Sequence, residues 1–186
     1  MTTWKSGRRI LAQRLSETTL PIDLFLEDVA RSRPQRVSGT AVFMFGNPTG
    51  VPPALLHNLK HNQVLHETVV LLRVDTEEVP VVDPADRTTV EALGHGFYRM
   101  VLRYGFMEDP DVPAALAEVR HSGLELPPMR TTYFLGRETL IVSKKPGMAI
   151  WRERLFAVMS RNARTATSFF GLPPNRVVEL GAQIEL

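Results

Sequence analysis

Residues 57–74, HNLKHNQVLHETVVLLRV, limit the fold more than any other stretch of the chain. They read as the second half of a helix, a short turn and then a buried strand. Val69, Val70, Leu71 and Leu72 form an apolar run too short to span a membrane and suited to a strand covered on both faces. Upstream, residues 39–45 (GTAVFMF) make a second such strand, and GNPTGVPP at 46–53 is a loop of turn formers. Pro52 and Pro53 suit the opening of a helix that continues to about Asn62. Strand, loop, helix and strand predict a βαβ unit with two parallel strands and a right-handed crossover.

At 186 residues the chain can bury one sizeable core, so one domain with a short N-terminal appendage is expected. Cysteine is absent, which excludes disulfides, thiolate nucleophiles and cysteine-based metal sites, and fits a reducing compartment. A net charge of +2 gives no reason to expect nucleic-acid binding without a clustered patch. No stretch approaches the roughly 18 consecutive apolar residues of a spanning helix. The basic start is not a signal peptide, because no apolar core segment follows it.

Around the βαβ unit the periodicities predict further elements. Residues 19–30 read as a helix with Pro21 in its first turn and Ile22, Leu24, Phe25, Leu26 and Val29 on an apolar side. Residues 31–36 read as a solvated basic linker broken by Pro34. After an acidic, proline-bounded loop at 75–84, residues 87–93 and 97–104 form an antiparallel hairpin about Gly94-His95-Gly96. Arg99 and Arg103 share one face of it and should pair with Glu91 or other acids. Residues 109–121 form a helix with Pro110 in its first turn. Residues 131–135 and 139–143 form a second hairpin, and 149–163 the most strongly amphipathic helix, with a basic side of Arg152, Arg154, Arg161 and Arg164. The last strand covers 176–180, with room to continue beyond it. The predicted fold class is α/β: a mixed sheet with a βαβ N-terminal unit, β-hairpin additions and packed helices.

Three groups of side chains are candidates for function. Ligands of parallel sheets favour loops beyond the carboxyl ends of the strands, and helix N-termini favour anions. Gly46, Asn47, Thr49 and Gly50 are therefore where a nucleotide or phosphate would be sought, although GNPTG is neither G-x-G-x-x-G nor a P-loop. A plain connecting turn is the competing reading. His57 and His61, four apart, lie opposite the face of Leu55, Leu56 and Leu59. With His66 they form a conceivable metal set, but no HExxH pattern exists and His66 lies past the helix end. Hydrogen bonds from His57, Asn58, His61, Asn62 and His66 that fix the helix end, contact with a neighbouring domain, or a pH-sensing contact are the alternatives. Finally, residues 1–15 hold Lys5, Arg8, Arg9 and Arg14 and no acid, with Trp4, Leu11 and Leu15 at helical spacing. They read either as an exposed basic helix or as the cytoplasmic end of a membrane helix.

HNLKHNQVLHE resembles the signature of the cytoplasmic C-terminal region of the KUP/HAK/KT potassium uptake permeases. The resemblance extends over MTTWKSGRRILAQRL at the start, VSGTAVFMF before the signature, GFYRMVLRYGFMEDPDVPAAL after it and PPNRVVELGAQIEL at the end. It implies potassium import, proton-coupled, by membrane segments outside this chain. Residues 1–36 would be a juxtamembrane helix and linker and residues 37–186 a cytoplasmic regulatory domain. Trp4, Lys5, Arg8 and Arg9 would be membrane-proximal, on the cytoplasmic face of the inner membrane. Implied partners are the membrane domain of the same transporter, a second copy in a homodimer, and the membrane surface near the N-terminus; nucleic acid is not expected. An adenine nucleotide or cyclic dinucleotide is the ligand that the resemblance implies, although the loop at 46–50 varies in the family and does not carry the signature. A free-standing nucleotide-binding protein of the universal-stress type is the alternative, and the Gly-rich phosphate loop it needs late in the chain is not found. No G-x-S-x-G serine, kinase motif set or paired catalytic carboxylate is recognisable, so no enzyme is expected.

Overall fold

In the computed structural model, residues 20–47, 50–121, 123–141 and 165–185 are described. In chain order they form α1 (Ile22–Ser32), β1 (Gln35–Met44), α2 (Pro53–Asn62), β2 (Val64–Glu77), β3 (Thr88–Gly94), β4 (Phe97–Gly105), α3 (Val112–Glu118), β5 (Thr131–Ile141), α4 (Ala166–Phe169) and β6 (Val177–Glu185). The apolar run occupies the middle of β2, where Val70 lies opposite Val42 and Leu71 opposite Phe43 of the parallel β1. This is the expected βαβ pairing.

The strands form one mixed sheet in the order β3-β4-β2-β1-β5-β6. Every pairing is parallel except the antiparallel hairpin of β3 and β4. The chain therefore builds outward from β1 in one direction through β2 and β4, then crosses to the other side for β5 and β6. Alternation along each strand sends side chains to two cores. Ala41, Phe43, Val69, Leu71, Phe97 and Phe134 pack with Ile22, Phe25 and Val29 of α1 and Leu55 of α2. Val42, Val70, Leu72, Met100, Tyr133 and Leu135 pack with Val112, Ala115 and Leu116 of α3. Both faces of the central strands are thus dry, which is why β2 reads as an unbroken apolar run rather than as an alternation.

Three expectations change. Residues 131–141 are one strand, not the first half of a hairpin: Gly136 has no positive φ, and Tyr133 to Ile141 pair in parallel with Val177 to Glu185 of β6. A partner in register over that length outcompetes a local turn. The helix predicted at 109–121 shrinks to Val112–Glu118, because Asp111 caps it by accepting from the Ala114 amide at 2.9 Å and Val119 is already extended. Asp109 and Pro110 precede it. The predicted linker at 31–36 is in fact the end of α1 and the start of β1, joined through Arg33 at φ 45°. Phe25 of α1 meets Phe97 edge-on at 5.8 Å, so α1 belongs to the packed unit. The helix predicted at 149–163 lies outside the described residues.

Candidate functional site

The two prolines that open α2 also decide what its N-terminus offers. Pro53 has no amide hydrogen, and the Leu55 and Leu56 amides both donate to the Pro52 carbonyl, at 2.9 and 3.2 Å. Few donors remain for an anion. The preceding loop leaves the carboxyl end of β1, where the sheet order reverses between β1 and β5, the position at which parallel sheets place their ligands. Gly46, Asn47 and Gly50 lie there, and Thr49 is outside the described residues. Gly50 bridges to Pro21, and the Val51 amide donates to the Leu20 carbonyl at 2.9 Å. The cavity between this loop, Ile22, Arg73 and Arg99 measures about 20 Å³. That is room for one water, whereas ligand sites start near ~300 Å³.

The histidines do not converge. His57 and His61 are exposed on the outer side of α2, their rings 5.9 Å apart. His66 on β2 is half-buried, its ring edge-on to Phe134 at 5.8 Å, and its buried Nδ1 has no hydrogen-bond partner among the described residues. Burial holds its pKa below the ordinary 6.5. Among the described residues no group of three metal-ligating side chains occurs. Asn58 points inward: 4% exposed, it donates from Nδ2 to the Val64 carbonyl at 3.1 Å and accepts from Asn62 Nδ2 at 2.9 Å. These bonds tie the end of α2 to the start of β2. Trp4, Lys5, Arg8 and Arg9 lie outside the described residues.

Two fastenings were not foreseen. Arg36 donates to the His66 carbonyl at 2.8 Å and the His95 carbonyl at 2.9 Å while its guanidinium sits 5.3 Å from the centre of the Phe97 ring. It clamps the β3–β4 turn to β2, and burial lowers its pKa. Gly96 completes that clamp, since a Cβ there would lie 2.3 Å from the Glu67 carbonyl oxygen. At the carboxyl ends of β2 and β4, Glu108 accepts from the Gly105 amide (2.7 Å), the Val82 amide (3.0 Å) and Arg87 Nη2 (2.6 Å). The two amides and then the guanidinium hold its carboxyl down at about 2. Arg87 lies over the Tyr104 ring at 4.9 Å.

These bonds join two loops into one rim. The Phe106 amide donates to the Val79 carbonyl and the Met107 amide to the Pro80 carbonyl, at 2.9 and 3.1 Å. Along β2, β3 and β4, Arg73 pairs with Asp75, Arg99 with Glu91 as expected, and Arg103 with Glu77. A wider groove of about 630 Å³ lies at the opposite end of the sheet, between Leu116, Arg120, His121, Leu124 and Pro127. Arg120 there donates to the Ala117 and Val119 carbonyls of its own turn.

No described helix is long and apolar enough to cross a membrane. A family model for the "K+ potassium transporter C-terminal domain" matches residues 38–186. Among curated proteins, the chain is 59% identical to a "Probable potassium transport system protein Kup" of Anaeromyxobacter sp. (strain Fw109-5), over the whole chain and 29% of that protein. Proteins of the same name from Myxococcus xanthus (59%) and Pseudomonas syringae pv. tomato (55%) also align with the whole chain, which covers 28% and 30% of their lengths. The chain thus spans under a third of the relatives it matches. No solved structure matches it.

Proposed function

The chain belongs to the K+ potassium transporter C-terminal domain family, and on that premise we propose that it is the cytoplasmic lobe of a potassium uptake transporter. The observation that carries this reading is the alignment of the entire chain with less than a third of each transport protein. Potassium import, coupled to protons, then belongs to segments outside this chain, and the lobe serves regulation, self-association and docking at the inner face of the membrane. The basic residues Lys5, Arg8 and Arg9 beside Trp4 suit the cytoplasmic membrane boundary, where positive charge stays inside.

The test uses a potassium-uptake-deficient host and the full-length protein that contains this chain. Uptake by that protein, altered when the lobe is removed, is the expected result. A parent protein without membrane spans, or without potassium uptake, overturns the reading. Sensing of an adenine nucleotide or cyclic dinucleotide at Gly46, Asn47 and Gly50 is supported by their position at the reversal of strand order. The 20 Å³ cavity means that the loop must open to admit one. Calorimetry with AMP, ATP and a cyclic dinucleotide decides this, and no heat from any of them removes it.

A further inference from the structure

The rim at the carboxyl ends of β2 and β4 exposes four apolar side chains: Val79 at 46%, Val81 at 62%, Phe106 at 60% and Met107 at 73%. They are not scattered. The two backbone hydrogen bonds between 79–80 and 106–107 set them side by side, and Glu108 locks both loops. Gly105 allows the approach, because a Cβ there would come 2.2 Å from the Pro80 carbonyl oxygen. Exposed apolar side chains brought together by loop pairing in this way mark a place where something binds.

Charge narrows what that something is. Residues 75–86 hold Asp75, Glu77, Glu78, Asp83 and Asp86 with no Lys or Arg, and residues 106–111 add Glu108, Asp109 and Asp111, again with none. Asp75, Glu77 and Glu108 have arginine partners, whereas Glu78, Asp83, Asp86 and Asp109 form no ion pair with the described residues. An anionic lipid surface is repelled by such a rim, and a second copy presenting the same rim across a two-fold axis would set acid against acid. A cationic partner with apolar side chains is complementary.

Position narrows it further. Leu20 and Pro21, where the described chain begins, are bonded to Val51 and Gly50 at the carboxyl end of β1, on the same end of the sheet as the rim. The chain therefore enters the described unit at that end of the sheet. Cytoplasmic segments between membrane helices carry an excess of Lys and Arg. We propose that the Val79, Val81, Phe106 and Met107 rim docks onto a Lys/Arg-rich cytoplasmic segment of the membrane-embedded part of the same transporter. This rests on the reading of the chain as that transporter's inner-face lobe.

The experiment places a photo-crosslinking amino acid at Val81 or Met107 of the full-length protein, with Met129 as control. Met129 is 76% exposed and precedes β5, at the opposite end of the sheet. Mass spectrometry of the digest identifies the adducts, and potassium uptake is measured on the same cells. Adducts from Val81 and Met107, but not Met129, to a basic segment between membrane spans are expected. In Glu78→Lys with Asp109→Lys, both exposed and away from the locking bonds, the Met107 adduct should fall about tenfold, equivalent to ~1.4 kcal/mol of docking. Adducts to residues 1–15, to a second copy or to lipid overturn the proposal, as do no adduct, an equal yield from Met129 or an unchanged yield in the reversed-charge variant. If uptake persists while the adducts fail, the docking alone falls. If uptake is absent, the transporter reading falls with it.

Discussion

At the scale of single residues, Glu108 carries the most structural consequence for one side chain. Three donors converge on its carboxylate, and two of them are backbone amides, one from each loop of the rim. Its pKa of about 2 lies below the ordinary 4.5, so the folded state holds the charged form more tightly than the unfolded chain does. The stabilisation is therefore complete above about pH 4.5 and is lost as pH falls toward 2. Glu108→Gln should lower the melting temperature at pH 7, and the gap to the wild-type chain should close between pH 4.5 and 2. A gap that does not change with pH would mean that the bonds, not the charge, matter. Asn58 teaches the complementary lesson. It stands three residues after Leu55 and four after Ala54, on the inner side of α2, so helical spacing could have marked it as buried. Hydrogen bonds that fix the helix end were one reading of its side chain, and the bond to the Val64 carbonyl explains why an amide is tolerated inside.

Elements were legible where their signals were local. The parallel β1–β2 pair followed from two apolar runs at helix-crossing distance, and the β3–β4 hairpin from Gly94-His95-Gly96 between two alternating segments. β5 was not, because the partner that keeps it extended lies about forty residues later: Arg137 meets Glu179 at 3.3 Å across the pair. Only Thr131 to Leu135 have β1 on the other side. Beyond Gly136, β5 is held among the described residues by β6 alone, a two-stranded parallel ribbon with little support of its own. A chain stopped after Leu180 should lose amide protection at 137–141 and keep it at 132–135, as read by hydrogen exchange. Loss across the whole strand would show that β6, not β1, anchors β5. The candidate loop at 46–50 was located correctly at a strand's carboxyl end, yet periodicity has no means of reporting that its cavity holds only about 20 Å³.

For the molecule as a whole, the boundary of the folding unit and the boundary of the family match are different things. The match begins at residue 38, after α1 and three residues into β1. Yet Ile22, Phe25 and Val29 are 4, 2 and 3% exposed and cover the face that carries Val69, Leu71 and Phe97. Truncating one such aromatic, Phe25→Ala, should cost about 3–5 kcal/mol. Domains of this size rest on only ~5–15 kcal/mol in total, so removing α1 entirely should leave no stable native state. A chain begun at residue 38 is therefore expected to bind a hydrophobic dye and to lose its cooperative melt, whereas Phe25→Ala in the full chain should melt cooperatively at a lower temperature. If the shortened chain instead melts as sharply as the full one, α1 is an ornament on the sheet.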